Sequence, residues 1–320
     1  MHAGVLHTFG QAPVYEQYPD PEPGENEVLV QMGAAALNRI DRALASGSHY
    51  ASPEKLPHVP GNDGIGRLED GSRVWFAMPR DPYGTYAERT VVPSYMCAPV
   101  PEGLDDVTAA ALVNPGMAAW MPLQWRGELK PDQTVLVLGA TGVCGRLAVQ
   151  IAKLLGAGRV VAAGRDVKAL EEVAALGADA TVDLRLTGDE LAEAFAREAE
   201  GGGYQVVVDY VWGAPTEALL TALTQKRLGA SDGETRLVQV GDGAGPSISL
   251  SAHALRSTAL TISGFGGMAP FEVQAEVWGK LMNSAAEGKI SIGTEAVPLA
   301  DIEKAWNRGD RDGRRLVVVP

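Results

Sequence analysis

Thr134-Val-Leu-Val-Leu-Gly-Ala-Thr-Gly-Val-Cys-Gly145 is the stretch that decides the fold. Its first five residues are β-branched or leucine, which is typical of a strand buried on both faces. Three glycines at a spacing of three follow, and apolar residues then recur at helical spacing. Gly156 stands where a helix C-cap glycine belongs. The stretch therefore predicts a strand, a glycine turn and a helix.

The glycine turn favours a dinucleotide site. Residues without side chains let backbone N–H groups approach a pyrophosphate, and the helix N-terminus adds about half a positive charge. A glycine triplet also occurs in tight turns for steric reasons alone. Because a second strand follows in register at 159–163, we expect a bound dinucleotide. The turn residues expected to contact it are Gly139, Thr141, Gly142, Val143, Cys144 and Gly145.

Composition limits the class of protein. The chain has 320 residues, 46% of them hydrophobic, which allows about two domains. Its net charge of −13 argues against nucleic acid or an anionic membrane as partner. No signal segment or membrane span is recognisable. Two cysteines, Cys97 and Cys144, cannot form a disulfide framework and fit a reducing compartment. We expect a cytoplasmic enzyme.

Strands and helices alternate after residue 134, which predicts an α/β doubly wound parallel sheet with its ligand at the carboxyl ends of the strands. Residues 1–112 are mostly β and rich in proline and glycine, and 268–320 return to this first domain, so that 113–267 form the dinucleotide-binding domain. A short helix is expected over 105–111, and a second begins at Asn114. The predicted strands are 134–138, 159–163, 180–183, 204–209, 237–241 and 259–264, and the predicted helices are 143–155, 166–176, 188–199, 215–225 and 271–287.

Arg165 bears on the choice of cofactor. It lies twenty residues after Gly145, where an NAD site places an acid on the ribose and an NADP site a cation on the 2′-phosphate. A solvated surface arginine is the alternative. Asp166 could accept the 2′-hydroxyl of NAD or cap the next helix. We expect NADPH. The further cofactor contacts expected are Gly164, Lys168, Asp209, Gly241, Asp242, Asn114 and Phe265.

Several motifs together resemble the medium-chain dehydrogenase/reductase superfamily, in its zinc-free quinone oxidoreductase branch. They are Ala36-Leu-Asn-Arg-Ile-Asp41, Ser46-Gly-Ser-His-Tyr50, Val59-Pro-Gly-Asn-Asp-Gly-Ile-Gly66, Gly84-Thr-Tyr-Ala-Glu88, the glycine turn, Val240-Gly-Asp242 and Pro298-Leu-Ala-Asp-Ile302. The resemblance implies a Rossmann domain and a mostly-β, GroES-like catalytic domain that the C-terminal segment completes, with the active site between them.

The chain departs from zinc-dependent relatives of that superfamily. Asn38 stands where they carry a cysteine, and Asn62-Asp63 where they carry His-Glu. A four-cysteine structural lobe is also missing. We therefore expect no metal. Tyr50 is about where the resemblance places an active-site tyrosine, while a second tyrosine seven residues earlier is Ala43 here.

The expected function is an NADPH-dependent, zinc-independent oxidoreductase that reduces a quinone or a C=C bond conjugated to a carbonyl. Tyr50 is the candidate hydrogen-bond donor to substrate, or it lines the nicotinamide pocket. Asn38 orients nicotinamide or substrate, or it caps a loop. The alternatives are an NADPH-binding redox sensor or crystallin-like protein, and an alcohol or carbonyl oxidoreductase. A homodimer is expected, joined through the apolar edge strand at 258–264.

Overall fold

The computed structural model describes residues 1–199, 201–224, 234–266, 269–308, 310 and 313–320. The chain divides into two compact units. The first unit comprises Met1–Asn114 and Met282–Pro320, and the second comprises Pro115–Leu281.

The strands are β1 His2–Val5, β2 Val14–Gln17, β3 Glu27–Ala36, β4 Asp63–Arg67, β5 Arg73–Ala77, β6 Arg89–Pro93, β7 Cys97–Pro99, β8 Thr134–Leu138, β9 Arg159–Gly164, β10 Ala180–Asp183, β11 Val206–Asp209, β12 Thr235–Gln239, β13 Leu260–Gly264, β14 Gly293–Pro298 and β15 Arg314–Val319. The α-helices are α1 Arg39–Ala45, α2 Asp106–Met121, α3 Val143–Leu154, α4 Val167–Ala175, α5 Gly188–Glu198, α6 Gly213–Thr224, α7 Ala252–Ser257, α8 Phe271–Ala286 and α9 Ile302–Arg308.

The second unit is built on a six-stranded parallel sheet in the order β10-β9-β8-β11-β12-β13. Its central strand β8 is almost wholly buried because apolar residues of the sheet and helices pack on both of its faces. Leu136, Phe195 and Leu219 belong to this core. The predicted doubly wound α/β sheet is confirmed, with each predicted strand within two residues of its observed bounds.

The first unit is mostly β. Its larger sheet runs β14-β15-β3-β4-β5-β7, with β6 also paired to β3. β15 lies between β14, to which it is parallel, and β3, to which it is antiparallel. The core of this unit includes Leu37, Phe76 and Trp306. Residues from both ends of the chain thus form one sheet, and the prediction of a separate mostly-β architecture is confirmed.

The two helices predicted over 105–111 and from Asn114 are wrong. The structure has one helix, α2, that continues through Pro115, and the division between the units falls within it. A proline inside a helix costs about 3 kcal/mol because it removes one N–H donor and crowds the preceding turn. Apolar residues on both sides of Pro115, among them Leu112 and Trp120, are buried. Burial of each such side chain contributes about 1.5–3 kcal/mol, so packing outweighs the local penalty.

Candidate functional site

The glycine turn lies at the carboxyl end of β8. Gly139 has a φ of +86°, a left-handed conformation that favours glycine. A Cβ on Gly145 would lie 2.3 Å from the carbonyl oxygen of Gly139, so a side chain there would collide with the turn. At Gly142, the N-cap of α3, the nearest atom to an added Cβ is 3.6 Å away. The turn is therefore closed against α3 at Gly145 and open at Gly142, the N-cap of that helix.

The sheet order reverses at this turn. After β8 the chain proceeds to β9 on one side, while β11 pairs with β8 on the other. Ligands of open α/β sheets bind outside the carboxyl ends of the strands at such a switch point. The register pairs Asp209 with Leu138, so β11 ends level with the start of the turn. The geometry of the second unit is that of a dinucleotide site.

Asp209 is buried at the end of β11. Its Oδ1 accepts from the backbone N–H groups of Val211 and Trp212, both at 2.8 Å, and its Oδ2 accepts from the Thr216 hydroxyl at 2.5 Å. Burial raises the pKa of this carboxyl, while those three hydrogen bonds lower it. The carboxyl group holds the turn from β11 into α6, and a cofactor contact for Asp209 stays a prediction.

Two exposed cations follow β9. Asp166 is the N-cap of α4 and accepts from the N–H of Ala169 at 3.1 Å, which confirms its capping interpretation. Arg165 and Lys168 are exposed, and neither has an ion-pair partner within the described ranges. Gly164 packs against the glycine turn, since a Cβ there would lie 2.5 Å from Cγ2 of Thr141. Two exposed positive charges therefore lie just beyond the strand that borders the turn.

The remaining predicted cofactor residues fall into two groups. Gly241 follows β12 and packs on the carbonyl oxygen of Tyr210, which an added Cβ would approach to 2.7 Å. The carbonyl of Asp242 accepts from the N–H of Gly245 at 3.0 Å. Phe265 follows β13, with its ring edge-on to Trp125. These three share the carboxyl edge of the sheet with the glycine turn. Asn114 lies inside α2 and is half-buried.

Asn38, in the first unit, is fully buried at the start of α1. Its backbone N–H donates to Oδ2 of Asp41 at 3.0 Å. Its side-chain Nδ2 donates to Oδ2 of Asp63 at 3.1 Å, and its Oδ1 accepts from Nη2 of Arg315. Both ends of the amide are thus engaged by the side chains of Asp63 and Arg315.

Two buried carboxyls flank Asn38. Burial, and next the neighbouring Asp41, raise the pKa of Asp63 to about 8, despite the lowering effect of Arg315 and Asn38. The pKa of Asp41 is about 6, because burial raises it by more than the hydrogen bond from the Tyr86 hydroxyl, 2.6 Å from its Oδ2, lowers it. Arg315 cannot neutralise both, because its Nη1 also bonds Asp310 at 2.8 Å. One of the carboxyls thus holds a proton near neutral pH.

Sequence reasoning missed the roles of Asp41, Tyr86 and Arg315 in this network. Asp41 and Tyr86 lie inside quoted motifs, and Asp41 is three residues after Asn38, the spacing of a capping box. That spacing was a usable signal. Arg315 carries no such signal, since it is one of two adjacent arginines at the start of an otherwise apolar strand.

Tyr50 lies in the loop after α1 and is 90% exposed. Its ring centroid is 4.3 Å from that of His49, with the planes tilted by 32°. In the part of the chain that the structure describes, the Tyr50 hydroxyl has no hydrogen-bond partner. The hydroxyl is free to bond a ligand.

The first unit also contains a cavity of about 310 Å³. Asp41, Asn62 and His58 line it, and Nδ1 of His58 lies 2.6 Å from Oδ1 of Asp81. Burial lowers the pKa of His58. Among the described residues, no three His, Cys, Asp or Glu side chains are arranged to hold a metal ion. No helix in those residues has the length and apolar character that crossing a bilayer requires.

Comparison with known proteins gives concordant matches. A family model described as zinc-binding dehydrogenase matches residues 143–283. A probable NADPH-dependent quinone reductase of Emericella nidulans is 30% identical, with all of both chains covered. An NADPH-dependent alkenal/one oxidoreductase of Arabidopsis thaliana is 33% identical over 51% of this chain and 46% of its own. The structure of Escherichia coli quinone oxidoreductase complexed with NADPH has a TM-score of 0.83 at 22% identity, with all of both chains covered, and supports the fold.

Proposed function

The chain belongs to the medium-chain dehydrogenase/reductase superfamily, in its quinone oxidoreductase-like branch, and from this we propose that it is an NADPH-dependent enzyme that reduces a quinone or a C=C bond conjugated to a carbonyl. It is an oxidoreductase on the strength of its relatives. The observation that carries the cofactor part is the open glycine turn at the switch point, with the unpaired Arg165 one strand away. The relatives named above support the acceptor class.

The residues of the second unit fit NADPH. The turn from Gly139 to Gly145 would receive the pyrophosphate, because its open side at Gly142 exposes the first N–H groups of α3. Arg165 and Lys168 would bind the 2′-phosphate, where charge-assisted contacts are strong. The bound cofactor would supply hydride.

Tyr50 is the proposed donor to substrate. Reduction of an enone adds hydride at the β-carbon and moves negative charge onto the carbonyl oxygen. A neutral hydroxyl such as that of Tyr50 can stabilise this charge, and Tyr50 or water can then return a proton to the carbon. Because both ends of its amide are engaged, we give Asn38 a positioning role, in which it fixes the start of α1 before the Tyr50 loop.

We also propose that catalysis needs no zinc. Zinc prefers thiolate and imidazole ligands, whereas Asn38 and Asn62 offer amides and Asp63 is a carboxyl bonded to Asn38. Oxidation of an alcohol requires removal of its hydroxyl proton. In other enzymes a zinc ion that binds the alcohol oxygen, or a basic side chain, makes this removal possible. Reduction of a conjugated acceptor has no such requirement and is therefore the favoured direction.

The deciding assay follows NADPH oxidation at 340 nm over a panel of quinones and enones, and NADP⁺ reduction over a panel of secondary alcohols. We expect turnover with at least one conjugated acceptor and none of comparable rate with alcohols. Tight NADPH binding without turnover would instead favour the sensor or crystallin-like alternative, which the loss of a second tyrosine at Ala43 supports. Oxidation of alcohols without reduction of any quinone or enone would overturn the proposed reaction class.

A further inference from the structure

Tyr210 lies beside the glycine turn of the candidate dinucleotide site. It directly follows Asp209 at the end of β11, and its N–H donates to the carbonyl of Leu138 at 3.1 Å. A Cβ on Gly139 would lie 3.2 Å from Cβ of Tyr210. Its carbonyl oxygen packs on Gly241. The tyrosine is therefore in contact with two of the predicted cofactor-binding glycines.

The Tyr210 hydroxyl has a defined donor role. It donates to the carbonyl oxygen of Ala118 in α2 at 2.9 Å. In a regular helix that carbonyl would accept from the N–H of residue 122, but residue 122 is a proline and has none. Tyr210 thus satisfies an acceptor that Pro122 leaves without its usual donor, and its single O–H hydrogen is committed to the protein.

A phenol oxygen whose hydrogen is committed can still accept hydrogen bonds. Burial raises the pKa of Tyr210 well above its usual value, and the nearby Cys144 raises it further, so the hydroxyl stays neutral at physiological pH. It can neither donate to a ligand nor act as an acid in catalysis. A group that bonds it must therefore be a donor. Tyr210 as a whole residue is half-buried.

We propose that Oη of Tyr210 accepts a hydrogen bond from the carboxamide NH₂ of the nicotinamide and thereby fixes the orientation of the ring. This inference rests on the proposed NADPH function. We expect Asp209, Gly241 and Asp242, at the ends of later strands, to lie beside the nicotinamide half of that site, and Tyr210 follows Asp209 and packs on Gly241. Tyr210 is then a positioning residue whose effect depends on one donor group of the cofactor.

Tyr204 provides a matched control. Its hydroxyl also donates to a backbone carbonyl, that of Phe195, at 2.8 Å, but it precedes β11, whereas Tyr210 follows it. Tyr204→Phe and Tyr210→Phe each remove one tyrosine-to-carbonyl bond. Both variants should lose stability, and only Tyr210→Phe should weaken the binding of the nicotinamide group of NADPH.

The test measures dissociation constants by fluorescence titration for NADPH and for its 3-acetylpyridine analogue, in which a methyl ketone replaces the carboxamide. We expect Tyr210→Phe to weaken NADPH about two- to ten-fold, the effect of one neutral hydrogen bond, and to leave the analogue unchanged. Tyr204→Phe should leave both constants unchanged. Equal weakening of both ligands by Tyr210→Phe, or no weakening of either, overturns the proposal.

Wild-type protein supplies an independent check if Tyr210→Phe does not fold. The thionicotinamide analogue keeps an NH₂ donor, so it should bind like NADPH, while the acetylpyridine analogue should bind at least two-fold more weakly. Equal affinity for the acetylpyridine analogue and NADPH would refute the role of Tyr210. Failure of wild-type protein to bind NADPH at all would instead refute the proposed function.

Discussion

The side-chain amide of Asn38 donates to Oδ2 of Asp63 over 3.1 Å, within a buried layer that contains a second carboxyl, Asp41, and the guanidinium of Arg315. Because Asp310 also bonds the guanidinium, the layer holds more carboxyl groups than positive charge. The folded protein lowers this imbalance by retaining a proton that the unfolded chain would release. The network therefore links stability to pH.

Stability should fall as pH rises. The pKa of Asp63 is about 8 in the folded protein against 3.8 ordinarily, so the folded state binds more protons between these values. The free energy of unfolding should then decrease with rising pH across this window, by up to about 1.4 kcal/mol per pH unit for one proton. Asp63→Asn should flatten the dependence and raise the melting temperature at pH 8 relative to wild type.

Thermal unfolding from pH 5 to 9 measures this effect. Asp70→Asn is the control, because Asp70 is exposed and its hydrogen bonds to Ser72 lower its pKa, so it does not titrate in this range. Parallel wild-type and Asp63→Asn curves would show that Asp63 is ionised throughout.

Arg165→Ala should change cofactor preference. Loss of a charge-assisted phosphate contact costs about 1.5–3 kcal/mol, so the dissociation constant of NADPH should rise roughly 10- to 150-fold while that of NADH stays nearly constant. Arg197→Ala, which removes an exposed arginine of α5, is the control for net charge. If Arg165→Ala weakens both cofactors equally, the arginine is structural and Asp166 becomes the candidate for reading the ribose.

Tyr50→Phe should lower turnover about ten-fold or more and leave NADPH affinity nearly constant, because the lost hydroxyl acts on the substrate oxygen. Tyr95→Phe is a matched control, since Tyr95 is also an exposed tyrosine of the first unit, at 69%. Steady-state kinetics with the best acceptor from the panel, together with NADPH titration, separate the two effects. Full activity in Tyr50→Phe would remove the tyrosine from the mechanism.

Purified protein should contain far less than one zinc per chain, and treatment with a chelator should leave its activity unchanged. The reason is the donor set, in which amides replace the preferred thiolate and imidazole at Asn38 and Asn62. Elemental analysis beside an activity assay on the same sample measures both quantities. Stoichiometric zinc that is lost together with activity would contradict this expectation.

A homodimer should form through β13. This strand is at the edge of the parallel sheet, and its Leu260 and Ile262 are only partly buried. A two-fold contact places residues near its axis beside their own copies. Thr261 lies near the middle of β13, so Thr261→Lys should oppose two cations and favour monomers. Thr221→Lys on exposed α6 surface is the control. Sedimentation at micromolar concentration should give twice the monomer mass for wild type. A wild-type monomer would contradict the predicted dimer.

The architecture of the second unit was largely predictable because its signals are local. Gly156 was expected to end the helix and has a φ of +91°, and the central strand β8 is a continuous apolar run after Thr134. Pro115 shows where local signals fail. The sequence shows the helix-breaking tendency of Pro115 in a single residue. The burial of the apolar residues around it in α2, which outweighs that tendency, depends on the whole fold. Two helices were therefore predicted where one exists.

The network around Asn38 was not predictable for a related reason. Asp63 is 25 residues away along the chain and Arg315 is 277 residues away. The residue types alone left the asparagine equally suited to bonding a ligand or a loop. Only the pairing of β15 with β3 brings the arginine to Asn38 and shows that both ends of its amide are occupied.

The position of β15 also constrains the order in which a nascent chain can fold. Val317 pairs with Ala36, so β3 has an open edge, and Asn38 lacks Arg315, until all of the second unit has left the ribosome. Synthesis of the 277 residues that separate Asn38 from Arg315, at about 5–20 per second, takes about 14 to 55 s. The second unit is continuous in sequence and can close its sheet during that time. During translation the first unit is therefore the part most exposed to edge-to-edge aggregation and to chaperones.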